Sequence, residues 1–333
     1  MRVWLPLVRT ATGSETYTRR LAKELAFRGH EVQLDVVPHL FQYAPWLAPI
    51  RPPAETDVAL TNSWNAHAFQ RHGVPMVSVC HLIVHEPGFE PFKTFAQKCF
   101  HQGFVKPMER AALRHATINV AVSETVRRQM LQYLGPADIE VVLNGVDTEF
   151  FKPKDSAKSE PIGRLRLLFV GKPSRRKGFD LVAQILDRLG NRVAFTCAGE
   201  FPSAGLPIPE GNYTGYLSEA ELRDVYRNSD LLLFPSRLEG CPLVVAEAMA
   251  CGIPVLGCVN TAVSEIMPKD GGGITREAND IDGFSNAILD LAEDVDKIRH
   301  MQKAVRAHAV KHLSKERWVE NTETLLQRAA TLL

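Results

Sequence analysis

The sequence predicts an α/β protein with two units, each built on a parallel sheet covered by helices. The chain has 333 residues, which at about 150 residues per domain corresponds to roughly two globular units. Short apolar runs alternate with amphipathic helical patterns, as they do around parallel sheets. The alternation begins again after residue 160, following a stretch rich in Lys, Pro and Ser that is typical of a linker.

The first unit is expected over residues 1–150. Its strands are predicted at the short apolar runs 3–8, 31–37, 57–60, 75–81, 117–122 and 140–143. After the first run, Tyr17, Leu21 and Leu25 recur at helical spacing. Arg28 and Gly29 then supply a cation in the last turn and a C′ glycine, so a helix is predicted to end there.

The linker is expected at residues 151–163 and the second unit at residues 164–310. Strands are predicted at 165–170, 193–198, 231–234 and 254–256, and helices at 179–189, 218–228 and 242–251. Beyond Asp280 the pattern is helical to the C-terminus, and residues 311–333 are predicted to form a final helix.

Composition and charge exclude several classes of protein. Hydrophobic residues make up 45% of the chain and charged residues 23%, which excludes a disordered protein. Lys and Arg number 39 against 38 Asp and Glu, a net charge of +1. No global positive field would recruit nucleic acid, so any basic site must be local.

Cysteine usage and hydropathy predict a cytoplasmic protein. The six cysteines include no C-x-x-C pair and no Cys/His cluster at zinc spacing, so we expect them to be reduced. The apolar run at 3–8 is too short for a signal peptide. No later stretch approaches the roughly 18 apolar residues of a membrane span.

Residues 235–255 are the most informative stretch. A strand is predicted to end at Phe234, a glycine turn follows, and Pro242 suits the first helical position. The loop therefore places backbone N–H groups at a helix N-terminus beyond a parallel strand, where phosphates bind. The residues expected to approach a phosphate and its sugar are Gly240, Cys241, Pro242, Leu243 and Val244.

Two glutamates flank this phosphate site. Glu239 precedes the helix, and Glu247 follows eight residues later, about a turn and a half into it. Carboxylates accept hydrogen bonds from hydroxyls, so the pair indicates a ribose on one side and a sugar on the other. Alone, either residue would more often be a cap or a surface carboxylate.

The E-x₇-E spacing resembles that of the retaining glycosyltransferases of family 4. Further segments resemble that family in the same order along the chain: Gly13-Ser14-Glu15, Asn144-Gly145-Val146-Asp147, Phe169-Val170-Gly171, Arg175-Arg176-Lys177-Gly178, Ala198-Gly199-Glu200 and Gly215-Tyr216-Leu217. The resemblance extends over nearly the whole chain. It implies the GT-B architecture, in which two Rossmann-like domains face each other across a cleft and the helix at 311–333 returns to the first domain.

The resemblance also implies roles for individual residues. Arg176 and Lys177 would contact a pyrophosphate, Glu247 the ribose, and Glu239 the sugar hydroxyls. The turns expected on the donor and base side contain Gly171, Gly199, Tyr216 and Leu217. The first domain would supply Gly13, His81 and the acceptor surface.

The residues themselves agree with those roles. Arg175, Arg176 and Lys177 are predicted to enter the helix at 179–189, where cations oppose the helix dipole unless an anion binds there. A solvated basic turn is the alternative. Gly13 leaves room for a ligand to approach the backbone, although Thr12 stands where the family often has a second glycine, and an ordinary turn is the alternative.

His81 is predicted to close the strand at 75–81, at the carboxyl end where site residues gather. A lone histidine is more often structural than catalytic. The resemblance nevertheless implies a histidine near the donor sugar, with His85 as the fallback.

Residues 91–130 form a local basic region. They contain seven Lys or Arg and two Glu, a local charge of +5, and phenylalanines lie among the cations. One hypothesis is that residues 91–115 contact an anionic membrane as a peripheral surface. The alternative is a helix with buried phenylalanines and a solvated basic face.

The predicted function is transfer of a sugar from a nucleotide diphosphate sugar to an acceptor hydroxyl, with retention. UDP is expected over GDP on frequency alone, and glycan, glycolipid or secondary-metabolite acceptors are all open. No cofactor or metal is expected, since no D-x-D follows a predicted strand. The alternatives are an epimerase or phosphorylase on the same fold and a non-catalytic nucleotide-sugar-binding protein. A dehydrogenase is disfavoured because no G-x-G-x-x-G follows a predicted strand.

Overall fold

The computed structural model describes residues 1–10, 12–154, 164–269 and 271–332. Two compact units divide the chain: Met1–Asn144 with Glu316–Leu333 form the first, and Gly145–Lys315 form the second. Most of the expected linker, residues 155–163, lies outside the described residues.

The first unit is built on a six-stranded parallel sheet with strand order β2-β1-β3-β4-β5-β6. The strands are β1 (Arg2–Val8), β2 (Glu31–Val37), β3 (Val58–Asn62), β4 (Met76–Cys80), β5 (Ile118–Ala121) and β6 (Ile139–Val141). The helices are α1 (Gly13–Phe27), α2 (Ser63–Gln70), α3 (Phe95–Phe100), α4 (Lys106–His115) and α5 (Glu124–Tyr133).

Strand β1 shows why this sheet forms. Its residues from Val3 onward are buried, as expected of an apolar strand covered on both faces. Trp4 is fully buried and meets the ring of Phe69 edge-on, with ring centroids 5.7 Å apart. These contacts anchor α2 to the middle of the sheet.

The second unit has its own six-stranded parallel sheet, with strand order β12-β11-β10-β7-β8-β9. The strands are β7 (Leu165–Val170), β8 (Val193–Ala198), β9 (Asn212–Gly215), β10 (Leu231–Phe234), β11 (Val255–Cys258) and β12 (Gly273–Arg276). The helices are α6 (Phe179–Leu189), α7 (Glu219–Arg227), α8 (Leu243–Ala250), α9 (Ala262–Ile266), α10 (Ile281–Glu293) and α11 (Val295–His312). The predicted α/β class, with a parallel sheet in each of two units, is confirmed.

Helix α12 (Lys315–Thr331) completes the chain, and its residues from Glu316 onward belong to the first unit. Trp318 packs edge-on against Tyr17, with ring centroids 4.9 Å apart. Glu323 accepts hydrogen bonds from Arg28 at 2.9 Å and from His30 at 2.8 Å. The last helix is thereby fixed to α1 and the turn that follows it.

The basic region at 91–130 spans several elements of the first unit. It contains α3, a single π-helical turn at His101–Val105, α4, β5 and the start of α5. Lys93 and Lys98 both pair with Glu90, which lies just outside the region, at 2.6 and 3.5 Å. Part of the positive charge of this region is therefore matched by a residue that lies before it.

Candidate functional site

The turn before α6 positions the cations of the second unit. The prediction that Arg175, Arg176 and Lys177 enter the helix is wrong. Helix α6 begins only at Phe179, so the three residues lie in the turn that precedes it. Gly178 adopts a positive φ of 71°, and a Cβ there would lie 2.1 Å from the carbonyl oxygen of Pro235. Only glycine allows this turn to approach the loop that follows β10.

Arg176 and Lys177 converge on Glu239. Lys177 Nζ lies 2.8 Å and Arg176 Nη1 3.4 Å from the same oxygen, Glu239 Oε1. The hydroxyl of Ser236 donates to that oxygen at 2.7 Å, and Arg176 also donates to the carbonyl of Leu238 at 2.6 Å. Two cations thus share one carboxylate, so positive charges outnumber negative ones by one within this trio.

The protonation of Glu239 follows from these neighbours. Burial acts to raise the pKa of its carboxyl. The charges of Lys177 and Arg176, together with hydrogen bonds from Lys177 and Ser236, lower the pKa by more than burial raises it. The net pKa lies below its ordinary value, so the carboxylate is ionised at neutral pH. Lys177 Nζ also lies 5.0 Å from the ring centre of Phe234, the last residue of β10.

The N-terminus of α8 lies four residues beyond Glu239. The helix begins at Leu243, so Pro242 is its N-cap residue rather than its first helical residue, and no side chain caps this end. Gly240 and Cys241 are buried in the loop before it, whereas Leu243 and Val244 are half-buried. The first backbone N–H groups of this helix and the positive end of its dipole therefore favour an anion here.

Glu247 contacts a different partner from Glu239. It is 4% exposed, and its Oε2 lies 3.2 Å from the hydroxyl of Tyr226, the fully buried tyrosine near the end of α7. That hydroxyl also lies 3.2 Å from the carbonyl of Val244, and its single proton serves one acceptor at a time. Sequence reasoning missed Tyr226, although a buried tyrosine hydroxyl usually has a polar partner.

The turns after β7, β8 and β9 meet at the carboxyl end of the sheet. A Cβ on Gly199 would lie 2.4 Å from the carbonyl oxygen of Gly171, so these two turns touch through their backbones. Glu200 accepts hydrogen bonds from Lys172, at 2.9 Å, and from the hydroxyl of Tyr216. The Tyr216 side chain is 80% exposed, and Leu217 is half-buried.

The candidates of the first unit lie at the carboxyl ends of its central strands. Gly13 is the first residue of α1, and a Cβ built there would meet open space. His81 follows β4, one residue beyond its end, and meets the ring of Tyr17 edge-on at 4.8 Å. Burial lowers the pKa of His81 to about 4, so its imidazole is neutral at pH 7.

The fallback residue His85 belongs to a buried polar cluster that sequence reasoning missed. Its Nδ1 lies 3.4 Å from Glu109 Oε2, and the hydroxyl of Ser63 donates to Glu109 Oε1 at 2.6 Å. Burial raises the pKa of Glu109 to about 8 and lowers that of His85 to about 4. Both groups are therefore neutral at pH 7.

The described residues contain neither a metal-binding cluster nor a membrane-spanning helix. No group of three or more His, Cys, Asp or Glu side chains among them is arranged to hold a metal ion. No helix in residues 1–10, 12–154, 164–269 and 271–332 is long and apolar enough to cross a bilayer. The six cysteines, all within those ranges, form no disulfide.

Solved structures share this fold. Sucrose-phosphate synthase from Thermosynechococcus elongatus superposes with a TM-score of 0.79 at 16% identity, covering 98% of each chain. The Anabaena protein HepE in complex with UDP gives a TM-score of 0.78 at 17% identity, covering 98% of this chain and 100% of that one. Both superpositions extend over nearly the whole chain, so the fold is of the GT-B type.

Family comparisons identify the group within that class. Residues 33–150 match the family model described as Glycosyltransferase Family 4, and residues 164–294 match the one described as Glycosyl transferases group 1. Together the two matches span more than half of the chain, which belongs to the family 4 glycosyltransferases.

Characterised relatives are similar over most of this chain. D-inositol 3-phosphate glycosyltransferase 1 of Catenulispora acidiphila is 27% identical over 319 residues, which cover 83% of this chain and 72% of the relative. The sulfoquinovosyl transferase of Arabidopsis thaliana is also 27% identical, over 72% of this chain and 49% of its own length. Both relatives are named as glycosyl-transferring enzymes, in agreement with the family matches.

Proposed function

We propose that this glycosyltransferase moves a sugar from a nucleotide diphosphate sugar to an acceptor hydroxyl, with retention at the anomeric carbon. The observation that carries the proposal is the trio of Arg176, Lys177 and Glu239, whose glutamate lies four residues before the helix that begins at Leu243. Its excess positive charge and the helix dipole both favour a diphosphate. Glu247 would then accept hydrogen bonds from the ribose hydroxyls.

The diphosphate would displace the Glu239 carboxylate from the two cations that it binds. Its oxygens would replace the Glu239 carboxylate as partners of Lys177 and Arg176, which leaves that carboxylate to accept hydrogen bonds from the sugar. Cations and backbone N–H groups that face the departing diphosphate stabilise the negative charge that develops on it. His81, neutral at pH 7 because of its low pKa, would act in the first unit as a hydrogen-bonding group for a sugar hydroxyl.

UDP is the proposed nucleotide of the donor. HepE, which shares the fold, has been solved with UDP, with UDP and glucose, and with UDP-glucose. The turn that contains Tyr216 and Leu217, at the carboxyl end of β9, is proposed to face the base. The acceptor is proposed to be a hydroxyl of a glycan, a glycolipid or a small secondary metabolite.

A panel of UDP and GDP sugars tests this function. The purified protein is incubated with each donor, with and without candidate acceptors, and the release of nucleotide diphosphate is measured. Release that depends on the acceptor, with an α-linked product from an α-linked donor by NMR, would support a retaining transferase. Acceptor-independent isomerisation would indicate an epimerase, phosphate-dependent release a phosphorylase, and binding without turnover a non-catalytic protein.

We expect transfer to proceed without a divalent metal. The cations Arg176 and Lys177 supply the charge that a metal would otherwise provide at a diphosphate. Turnover in EDTA should therefore stay within about twofold of turnover in Mg²⁺ or Mn²⁺. Loss of a charge that takes part in catalysis would lower turnover far more. A loss of activity in EDTA that added metal restores would contradict this expectation.

Membrane contact is a separate proposal for the first unit. Tyr43, Trp46, Phe100 and Phe104 pack against one another, with ring centroids 5.0 to 5.8 Å apart, and we name them the aromatic surface. Exposed apolar side chains accompany this surface in the same segments: Leu40, Leu47 and Phe95. Aromatic rings beside lysines suit an interface with anionic lipid, so we propose that residues 91–115 and the aromatic surface contact such a membrane.

Sedimentation with vesicles tests this contact. Wild-type protein should pellet with phosphatidylglycerol vesicles at low salt, and Phe95→Asp, at a position 82% exposed, should pellet less. The matched control is Phe201→Asp, which changes a 61% exposed phenylalanine of the second unit. Wild-type protein that stays in the supernatant, or equal losses in both variants, would contradict the proposal.

A further inference from the structure

Arg237 lies in the loop after β10, and its guanidinium uses all five of its N–H donors. Nη1 and Nη2 donate to the two carboxylate oxygens of Asp180 at 2.8 and 3.0 Å. Nε and Nη2 donate to Asn279 Oδ1 at 2.9 and 2.6 Å, and Nη1 also donates to the carbonyl of Arg175. The Arg237 side chain is 14% exposed, whereas Asn279 and the hydrogen bonds to it lie at the surface.

These bonds join three loops of the second unit. Asp180 lies in the first turn of α6, and Asn279, with a positive φ of 71°, lies in the turn between β12 and α10. The backbone N–H of Arg237 donates to the carbonyl of Arg176 at 3.0 Å. Main chain and side chain of Arg237 therefore hold the carbonyls of two successive residues, Arg175 and Arg176, in the cationic turn.

The charge of Arg237 is already matched. Asp180 binds it through two parallel hydrogen bonds, the strong bidentate geometry of an arginine–carboxylate pair. Arg176 and Lys177, in contrast, share the one carboxylate of Glu239. Arg237 thus acts on the conformation of the turn rather than as a further cation for an anion.

We propose that Arg237 is a positioning residue, which fixes the turn at 175–178 so that Arg176 and Lys177 are held ready for a nucleoside diphosphate. This inference rests on the proposed function. Lysine cannot replace arginine in this role, because an ammonium has three donors in a tetrahedral arrangement and cannot make the planar, five-donor set.

Binding measurements on the full chain test the proposal. The probe is UDP or GDP, whichever wild-type protein binds more tightly by calorimetry, and the corresponding nucleoside is measured by NMR competition. Arg237→Lys should weaken the diphosphate by about tenfold or more, and leave the nucleoside within about twofold, because only the phosphates meet the displaced cations. The matched control is Arg188→Lys, at an arginine in the last turn of α6 whose side chain is 46% exposed. This change should alter neither affinity.

A second variant covers the case in which Arg237→Lys fails to fold. Asn279→Gly removes an acceptor for two of the five donors and tolerates the positive φ. It should weaken the diphosphate selectively, by less than Arg237→Lys. Equal loss of diphosphate and nucleoside affinity, or no loss of either, would overturn the inference while leaving the proposed function intact. Wild-type protein that binds neither diphosphate would overturn both.

Discussion

Two buried glutamates, one in each unit, have opposite electrostatic environments. Glu239 lies between Lys177 and Arg176, and its pKa is lowered below the ordinary value. Glu109 has a serine hydroxyl and a histidine as its polar neighbours, and burial raises its pKa to about 8. Burial penalises charge in both places, and the presence of paired cations decides which carboxyl stays ionised.

The difference separates the chemistry of the two units. The loops of the second unit maintain a dense set of ionised side chains, which is the environment that a diphosphate requires. The corresponding strand ends of the first unit hold neutral groups, since the pKa values of His81 and His85 are about 4. Under the proposed function, the first unit would recognise neutral hydroxyls and the second would bind the diphosphate.

Lys177→Ala should produce the largest effect on this comparison. It removes one of the two cations that hold Glu239, so turnover should fall by about 10² to 10³-fold, the range seen when one charge-stabilising donor is lost. The melting temperature should change little, because the side chain is partly exposed. Steady-state kinetics with the active donor and a thermal melt measure both quantities.

Lys172→Ala is the matched control for that prediction. Lys172 also follows β7 and also pairs with a glutamate, at 2.9 Å, but its side chain is 70% exposed. Turnover should change by less than about tenfold, since exposed ion pairs contribute little. Equal turnover in Lys177→Ala and wild type would remove Lys177 from the mechanism.

Glu247→Ala should produce the next largest effect. We expect nucleotide binding to weaken by about 1 to 3 kcal/mol, the range for hydroxyls that lose a buried partner. Calorimetry with the nucleotide measures this change. Tyr226→Phe, which keeps the carboxylate and removes its 3.2 Å neighbour, should cost less. Unchanged affinity in Glu247→Ala would show that this carboxylate does not bind the ribose.

Glu109→Gln should produce the smallest effect, visible as a pH dependence of stability. The raised pKa means that, between its ordinary value of 4.5 and about 8, the folded state keeps a proton that the unfolded state releases. The carboxyl therefore stabilises the fold most below pH 4.5, and this contribution is lost as the pH rises towards 8. From pH 6.5 to 8, the melting temperature of wild type should fall relative to that of Glu109→Gln.

Ser63→Ala is the control for the titration. It removes the hydroxyl that donates to Glu109 at 2.6 Å but keeps the carboxyl, so the variant should melt lower at every pH and still show the downward trend. A difference between wild type and Glu109→Gln that stays constant or grows with pH would contradict the raised pKa.

All six strands of the first sheet could be predicted from the sequence, whereas in the second sheet only the four central strands could. Strands such as β7 and β10 are nearly or wholly buried, so they appear as continuous apolar runs. The missed strands β9 and β12 are four residues long and largely half-buried, and they lie at opposite edges of the second sheet. An edge strand is paired on one side only and is less buried, so its apolar pattern is weaker.

The site was predictable by location and not by pairing. Parallel strands bring their carboxyl ends to one edge, so the loops with Lys177 and Glu239 were expected to lie together. Which side chains meet depends on rotamers across some 60 positions of sequence, and no local pattern indicates that Arg237 bonds Asp180 or that Tyr226 bonds Glu247. The pairing of Lys93 and Lys98 with Glu90 could not be predicted for the same reason.

Gly178 gives a means of separating spacing from chemistry. The carbonyl oxygen of Pro235 occupies the place where a Cβ would stand, only 2.1 Å away. In a saturation library, every amino acid at this position, from alanine to tryptophan, meets the same steric barrier. Depletion of every substitution at position 178 would reflect the short distance between the two backbones. Depletion of only some substitutions at position 177 would reflect the need for an ammonium group there.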